Sequence, residues 1–237
     1  NDANVATANK FVNLGTLALT GGTGTSAASN YALPASSFSA NNGVTITTAT
    51  ATVAATKTYD GTTTLTKPQI SITGIGGAAI DFNLGTAAAN DANVATANKF
   101  VNLGTLALTG GTDTTAASNY ALPASSASAN NGATINAKTV TLSAEKTYDS
   151  NTSLTGAITI GTGVGTQTLT YTGATANDAN VATANKFINA ITLADATDGS
   201  GGLASNYALP TLDRANAPVT INAKTVTLSA EKTYDSN

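Results

Sequence analysis

Lys146-Thr147-Tyr148-Asp149 is one of three copies of the same four residues, which also stand at positions 57–60 and 232–235. The period is therefore 89 residues and then 86 residues. Two longer stretches keep nearly the same period: Asn-Asp-Ala-Asn-Val-Ala-Thr-Ala-Asn-Lys-Phe begins at Asn1, Asn90 and Asn177, and Asn-Tyr-Ala-Leu-Pro begins at Asn30, Asn119 and Asn206. A chain that repeats itself this closely is an array of one structural unit.

The length of the period predicts tandem domains. Solenoid repeats and propeller blades run roughly 20 to 50 residues, whereas a period of about 88 residues falls within the size of a small independent domain. We expect the C-terminal part of a repeat at 1–48, complete repeats at 49–137 and 138–223, and the start of a further repeat at 224–237. We also expect the chain to be a section of a longer repetitive protein.

The composition predicts an all-β fold. Only 10% of the residues are charged, the net charge is −3, and histidine, cysteine, methionine and tryptophan are absent. Surface helices draw on Lys, Arg and Glu, which are scarce here, whereas the abundant threonine suits exposed strand faces.

The same composition argues against several classes of function. Without histidine or cysteine the chain lacks the commonest transition-metal ligands, the usual general base and the thiol nucleophile, so we expect no enzyme, no catalytic residues and no cofactor. The ten scattered Lys and Arg residues form no basic stripe, so we expect no nucleic-acid partner. No apolar run approaches the roughly 18 residues of a membrane-spanning helix, so we expect no membrane span in this segment.

The repeat at 49–137 begins with a strand and a turn. Ala49–Ala55 alternates small apolar residues with threonine and places Ala49, Ala51 and Val53 on one face, as in a half-buried strand. Lys57–Gly61 follows as a turn in which the tyrosine points into the core and Gly61 adopts a positive φ. In the next repeat Ser150 replaces the glycine, and we expect the left-handed position to pass to Asn151.

The rest of this repeat predicts further short strands. Gln69–Thr73 and Ile80–Leu84 resemble a hairpin, and Asn131-Gly132 is a strong two-residue hairpin signal. Asn90–Phe100 is either a short helical turn or an irregular crossover. About seven strands in about 88 residues are typical of an immunoglobulin-like β-sandwich. The residues expected to be structural are Tyr59, Asp60, Phe100, Tyr120, Tyr148, Asp149, Phe187 and Tyr207.

Side-chain parity predicts how the domains are joined. Ala133 and Ile135 are the inward residues of one last strand, whereas Val140 and Leu142 are the inward residues of the next first strand. Val44 and Ile46, and Val219 and Ile221, precede the same change of parity, so Val226 and Leu228 are expected to face inward. Because successive strand side chains alternate faces, the two domains bury opposite faces of the chain across a short, stiff connection.

The unit resembles the YDG repeat domain of large bacterial surface proteins, which are similar to filamentous-haemagglutinin-type exoproteins and adhesins. The matching residues are Lys57–Gly61, Lys99-Phe100 leading into Leu106–Gly110, Asn119-Tyr120 and Ala133–Ile135. The resemblance implies a multi-domain, mostly-β stalk that is secreted to the bacterial cell surface and carries no catalytic residues. Ser150 and Ser236 depart from the family, which has glycine there.

Two sets of residues could form a binding site or have an ordinary structural role. Asp91 and Asn93 are weak calcium candidates, because Ca²⁺ is held by oxygen ligands, but a capped turn explains the same residues. Tyr59, Tyr120 and Tyr207 would suit a sugar platform if they were exposed, but their strict place in the repeat favours core packing.

Two lysines could take part in a covalent cross-link. Lys57 or Lys146 could supply the amine of an intramolecular isopeptide bond. Such a bond needs a buried carboxylic acid, and Glu145 and Glu231 are expected to be exposed beside the turn.

The function predicted from these observations is that of a structural protein. We expect a stiff shaft of tandem domains in an extracellular bacterial adhesin or surface fibre. The alternatives are a self-assembling extracellular filament subunit, whose strands complete the sheets of neighbouring chains, and a glycan- or matrix-binding module. The expected partners are other copies of the repeat and neighbouring chains, while the identity of any host, matrix or cell-surface ligand stays open.

Overall fold

The computed structural model describes residues 2–112 and 115–235. Ser236, which departs from the family glycine, and Asn1, which begins the first copy of the eleven-residue stretch, lie outside the described residues. The described residues form strands, short 3₁₀ turns and loops without an α-helix, which confirms the all-β prediction. None of the described residues belongs to a helix long and apolar enough to cross a membrane.

Among the described residues, nine strands lie between residues 49 and 136 and seven between residues 138 and 222. The first group is β1 (Ala49–Thr50), β2 (Thr52–Thr58), β3 (Ile70–Thr73), β4 (Phe82–Asn83), β5 (Ala88–Ala89), β6 (Val101–Asn102), β7 (Ala107–Leu108), β8 (Tyr120–Ala121) and β9 (Asn131–Asn136). The second is β10 (Lys138–Thr139), β11 (Thr141–Thr147), β12 (Ile158–Gly161), β13 (Thr170–Ala176), β14 (Ile188–Ala194), β15 (Tyr207–Ala208) and β16 (Val219–Asn222). The 3₁₀ turns include Lys67–Gln69, Ala117–Asn119 and Ala204–Asn206.

The chain divides into two compact units, and each is discontinuous in sequence. The first unit holds the residues up to Lys57 together with Thr63–Asp91 and Ala97–Thr134. The second unit holds the residues from Ile135 onward together with two short segments, Thr58–Thr62 and Ala92–Thr96. The domain bounds 49–137 and 138–223 remain predictions from the repeat.

In the first unit, β2 is the middle strand of a sheet in the order β3-β2-β9. It pairs antiparallel with β3, with Val53 opposite Ile72. Ala51, Val53, Ala55 and Lys57 are buried while the residues between them are more exposed, so the predicted alternation of faces is confirmed. The preceding strand β1 pairs parallel with β8, and β4–β7 and β5–β6 form two small antiparallel pairs.

The second unit repeats this pattern with longer strands. β11 lies between β12, its antiparallel neighbour, and β16, its parallel neighbour, while β10 pairs parallel with β15. β13 and β14 form an antiparallel pair with an irregular register. The change of parity before this unit is confirmed, because Ile135, Val140 and Leu142 are all buried.

The predicted hairpin at Asn131-Gly132 is wrong. The turn lies at Ala129–Asn130, and Asn131 begins β9. The side chain of Asn131 is buried, accepts the Val101 N–H at 2.9 Å and donates to the Val101 carbonyl at 2.9 Å. These bonds hold Asn131 within the strand, so a local turn preference yields to a buried partner 30 residues away.

The prediction for the second turn is also wrong in one detail. Ser150 itself takes the left-handed conformation, with φ of 67°, and Asn151 does not. Asn151 instead donates its N–H to Asp149 at 3.2 Å and accepts the Ser153 N–H at 2.8 Å through its side chain. These side-chain bonds fix the turn with serine at the glycine position.

The predicted hairpin between 69–73 and 80–84 is confirmed only at its closed end. The Ile80 N–H donates to the Ile72 carbonyl at 2.9 Å, but Phe82 continues into β4, which pairs with β7. Asn90–Phe100 is irregular rather than helical. Val226 and Leu228, predicted to face inward, are exposed, because no strand among the described residues covers them.

Candidate functional site: an asparagine clasp

Three copies of the eleven-residue stretch, at 1–11, 90–100 and 177–187, are here named the NDAN loops. Each ends near a buried lysine: Lys10, Lys99 or Lys186. The Lys186 ammonium donates to the Val181 carbonyl at 2.9 Å and to the Thr183 carbonyl, and Lys10 makes the same two bonds in its own copy. An ammonium is costly to bury unless its donors are satisfied, so the lysine constrains the loop to wrap around it.

An aspartate near the start of each loop stabilises a tight turn. Asp178 accepts the Asn180 N–H at 2.6 Å. That N–H, followed by the Thr183 hydroxyl, lowers the pKa of the Asp178 carboxyl. Asp2 accepts the Asn4 N–H in the same way.

The calcium candidates lie in the middle NDAN loop. Asp91 and Asn93 are half-buried, and Asn93 Oδ1 accepts a hydrogen bond from Asn206 Nδ2. In the first and third NDAN loops, backbone carbonyl oxygens bind the ammonium of Lys10 or Lys186. No group of three or more His, Cys, Asp or Glu residues that could hold a metal ion occurs among the described residues.

Asn206 binds the middle NDAN loop through both ends of its side-chain amide. Its Oδ1 accepts the Val94 N–H at 2.8 Å, and its Nδ2 donates to Asn93 Oδ1 at 2.8 Å. Asn206 is 0% exposed and ends the 3₁₀ turn that precedes β15. These residues come from successive sequence repeats but lie within one compact unit, the second. We name this pair of bonds the asparagine clasp.

The clasp occurs a second time with the corresponding residues, this time inside the first compact unit. Asn119 Oδ1 accepts the Val5 N–H at 2.7 Å, and Asn119 Nδ2 donates to Asn4 Oδ1 at 2.8 Å. Its bonds span 114 and 115 residues, against 112 and 113 residues in the other clasp. The same atoms, similar distances and similar spacing show that this contact between one sequence repeat and the next is itself repeated.

The lysine and the clasp act on the same peptide segment. In the first loop the Val5 carbonyl accepts from Lys10, while the Val5 N–H donates to Asn119. The buried ammonium and the asparagine therefore bind the backbone of the same residue from its two sides. By contrast, Val181 in the third loop is 42% exposed, and its neighbour Asn180 is also exposed.

Beside the clasp in the second unit, two tyrosines meet through a glutamine. Tyr59 is 3% exposed, and its ring packs edge-on against Tyr207 with centroids 5.4 Å apart. Gln167 Oε1 accepts the Tyr207 hydroxyl at 2.5 Å, and Gln167 Nε2 donates to the Tyr59 hydroxyl at 3.0 Å. Burial, followed by the proximity of Tyr59, raises the pKa of Tyr207. These residues all lie in the second unit, and Tyr207 directly follows the clasp residue Asn206.

The other predicted tyrosines have different surroundings. Tyr120 is buried, and its hydroxyl accepts the Ile75 N–H at 3.1 Å. Tyr148 is half-buried. Tyr59, Tyr120 and Tyr207 therefore present no exposed aromatic platform.

The remaining predicted residues stabilise turns. Asp60 is exposed and accepts the Thr62 N–H at 2.9 Å. Asp149 forms a 2.5 Å ion pair with Lys146, and this contact lowers the pKa of the Asp149 carboxyl. Phe100 and Phe187 are half-buried, and the N–H of each donates to the asparagine ten residues before it.

Three important kinds of residue were missed from the sequence. Asn119 and Asn206 begin the Asn-Tyr-Ala-Leu-Pro motif, in which the tyrosine alone was predicted to be structural, and the presence of the asparagine in every copy was the available signal. The buried lysines Lys10, Lys99 and Lys186 likewise occupy the same position in every copy, which could have indicated their structural role. Gln167 had no such signal, because its partners Tyr59 and Tyr207 are 108 and 40 residues away.

Comparison with known families agrees with this repeat. Residues 42–129 match the family model described as the YDG domain. No curated protein and no solved structure matches the chain. The matched range contains the Lys57–Gly61 turn, the middle NDAN loop and the first Asn-Tyr pair that forms a clasp. The resemblance to the YDG domain is therefore confirmed over residues 42–129.

Proposed function

We propose that this chain is a structural repeat region that acts as a stiff shaft in an extracellular bacterial adhesin or surface fibre. The observation that carries the proposal is the asparagine clasp, formed twice between successive sequence repeats with the same atoms. A shaft needs each sequence repeat to join the next in one defined way. A two-bond amide contact meets this need, because both bonds form together only in a single geometry.

The energetics of the clasp also favour a stiff connection. Asn206 is fully buried, so opening the contact leaves polar groups without partners until water reaches them. The buried Tyr59 ring adds an apolar contact beside the clasp. A hinge at this point would have to break both contacts at once.

The domain type that suits this role is an immunoglobulin-like sandwich. β10 and β11 pair with different partners: β10 lies parallel to β15, and β11 lies between β12 and β16. A first strand that changes neighbours along its length is compatible with two packed sheets of one sandwich. Tandem sandwiches joined by clasps would advance about 35 to 50 Å per repeat.

The composition of the chain suits a surface with few reactive or charged side chains. The chain has no histidine or cysteine, and charged residues make up 10% of it. The resemblance to surface-protein repeats supports the proposed extracellular bacterial location. Its partners within the fibre are further copies of the same repeat.

Small-angle X-ray scattering tests the shaft. We would compare the chain with a version in which repeat 138–223 is duplicated, and we expect the maximum dimension to grow by about 35 to 50 Å. The double variant Asn119→Ala/Asn206→Ala should show a more flexible profile at unchanged mass. A maximum dimension that fails to grow, or a wild-type profile that requires free hinges, would refute the proposal.

A further inference from the structure

The turn that contains Tyr59 contacts one loop of the second unit. Residues 162–169 connect β12 to β13 and are here named the receptor loop. Within this unit, Gln167 binds the Tyr59 hydroxyl, and Val164 lies beside Gly61. A Cβ atom at position 61 would be 3.0 Å from Val164 Cγ1 and 3.8 Å from Gln167 Nε2. The receptor loop therefore contacts the turn at two points, the tyrosine hydroxyl and the glycine.

The receptor loop holds both of its contact residues in place. The hydroxyl of the buried Thr162 donates to the Gln167 carbonyl at 2.7 Å, and the Gln167 N–H donates to the Val164 carbonyl at 3.0 Å. Val164 is itself buried, and its β-branched side chain is restricted in χ1. Making room for a larger residue at position 61 would therefore disturb packed neighbours of Val164.

The second copy of the turn has a serine where the first has Gly61. Ser150 takes φ of 67° and Gly61 takes φ of 79°, so both copies use the left-handed conformation. The two copies differ in the Cβ atom, whose place is set by the backbone and is the same in every serine rotamer. At 3.0 Å from Val164 Cγ1 this atom would be too close, because non-bonded carbon atoms pack at about 3.5 to 4.0 Å. The space beside Val164 therefore separates the glycine form of the turn from the serine form.

The loop that occupies the place of the receptor loop differs in the repeat at 49–137. Residues 74–81 connect β3 to β4 and have the same length as the receptor loop, but they contain only Gly, Ile, Ala and Asp. That loop provides neither a valine methyl group nor a glutamine amide. The hydroxyls of the two corresponding tyrosines accordingly have different partners, since Tyr207 donates to Gln167 whereas Tyr120 accepts the Ile75 N–H. Each of these repeats therefore has its own combination of turn and loop.

We propose that the contact between Gly61 and Val164 makes the repeats non-interchangeable: the receptor loop accepts the glycine form of the turn and excludes the serine form. The partner that this surface fits is a Lys-Thr-Tyr-Asp-Gly turn from the adjoining repeat. Gln167 completes the selection, because it binds the tyrosine hydroxyl of a turn that comes close enough. This inference rests on the proposed shaft and deepens it, since repeats that accept one form of neighbour are joined in a fixed order.

A double-mutant cycle in the full chain tests the proposal. Gly61→Ser introduces the side chain that the second copy carries, and Val164→Ala removes the methyl groups that this side chain would meet. The Ile188 N–H is buried in the second unit and donates to the Ala217 carbonyl, so its hydrogen exchange reports the stability of that unit. We expect Gly61→Ser to accelerate this exchange at least about fivefold more in the wild-type background than in the Val164→Ala background.

Two control variants separate this contact from other effects. Gly199→Ser introduces the same side chain at φ of 78° in the same unit, where no described atom lies within 4 Å of the new Cβ, so it adds backbone strain alone. Tyr59→Phe removes the hydroxyl that Gln167 Nε2 binds, and it provides the NMR signal of the Gln167 side-chain amide without this bond. We expect the same signal in Gly61→Ser to move toward its position in Tyr59→Phe.

The outcomes distinguish this proposal from the shaft itself. Faster exchange in Gly61→Ser than in Gly199→Ser, with the difference removed by Val164→Ala, supports the proposal. Equal acceleration in the two serine variants, an acceleration that Val164→Ala leaves unchanged, or a Gln167 signal that does not move would overturn it. Failure of the shaft would appear instead in the scattering profile of the wild-type chain.

Discussion

Replacing Asn206 with alanine should loosen the second unit at one defined point. The substitution removes two hydrogen bonds of 2.8 Å each, to the Val94 N–H and to Asn93 Oδ1. A hydrogen bond contributes about 1 kcal/mol net, and a buried group left without a partner costs about 1 to 3 kcal/mol. Asn93 and Val94 are only half-buried, so water relieves part of that cost. We therefore expect a loss of about 2 to 3 kcal/mol in the free energy of unfolding of this unit.

Matched variants isolate the clasp from general effects of the substitution. Asn93→Ala removes only one of the two bonds and should cost about 1 kcal/mol. Asn30→Ala changes the corresponding asparagine of the first repeat, which is exposed, and should cost no more than about 0.5 kcal/mol. The double variant Asn93→Ala/Asn206→Ala should cost less than the two single losses added together, because both remove the same bond.

The assay combines urea denaturation with amide hydrogen exchange. A loss of 2 kcal/mol should speed exchange of the Val94 N–H by about 30-fold. The Val5 N–H, which is bound by Asn119 in the other unit, serves as the internal reference and should not change. Unchanged exchange at Val94 together with unchanged stability would refute the argument that this contact holds the NDAN loop.

Three further predictions concern the lysine, the pH dependence and the tyrosines. Lys186→Met removes the buried ammonium while keeping most of the side-chain length, and it should lower the free energy of unfolding by about 1 to 3 kcal/mol in urea titrations. An unchanged free energy of unfolding would mean that the ammonium bonds to the Val181 and Thr183 carbonyls do not stabilise the fold. The pKa of Asp198 is lowered from 3.8 to about 2, first by the Thr168 hydroxyl and then by Ser200, so its stabilisation is complete above about pH 5 and is lost as the pH falls toward 2. Asp198→Asn should therefore reduce the acid dependence of stability between pH 5 and 2, and an identical pH profile would contradict this. Tyr59→Ala should cost roughly 3 kcal/mol or more, whereas Tyr148→Ala should cost less because its ring is half-buried; equal shifts in melting temperature would contradict the difference.

The repeat and the strand pattern could be predicted because both depend on residues close together in the sequence. Alternation from Ala51 to Ala55 places one face in the core whatever sheet the strand joins, and the structure buries that face. The scarcity of helix-forming residues predicted an all-β chain for a similarly local reason. The position of each motif in the period indicated that Tyr59 and Tyr207 would be packed rather than exposed.

The tertiary structure alone decided which polar side chains meet. Asn131 has the local sequence of a hairpin turn, but the backbone of Val101 binds its amide and keeps it in a strand. Asn206 reaches Val94 across 112 residues, and nothing in the sequence near either residue specifies the other. The alternation of apolar residues determines which face of a strand is buried, whereas the partner of a buried amide depends on which distant loop the folded chain brings within about 3 Å. For this reason the repeat and its all-β character could be predicted from the sequence, and the contact that joins one repeat to the next required the folded structure.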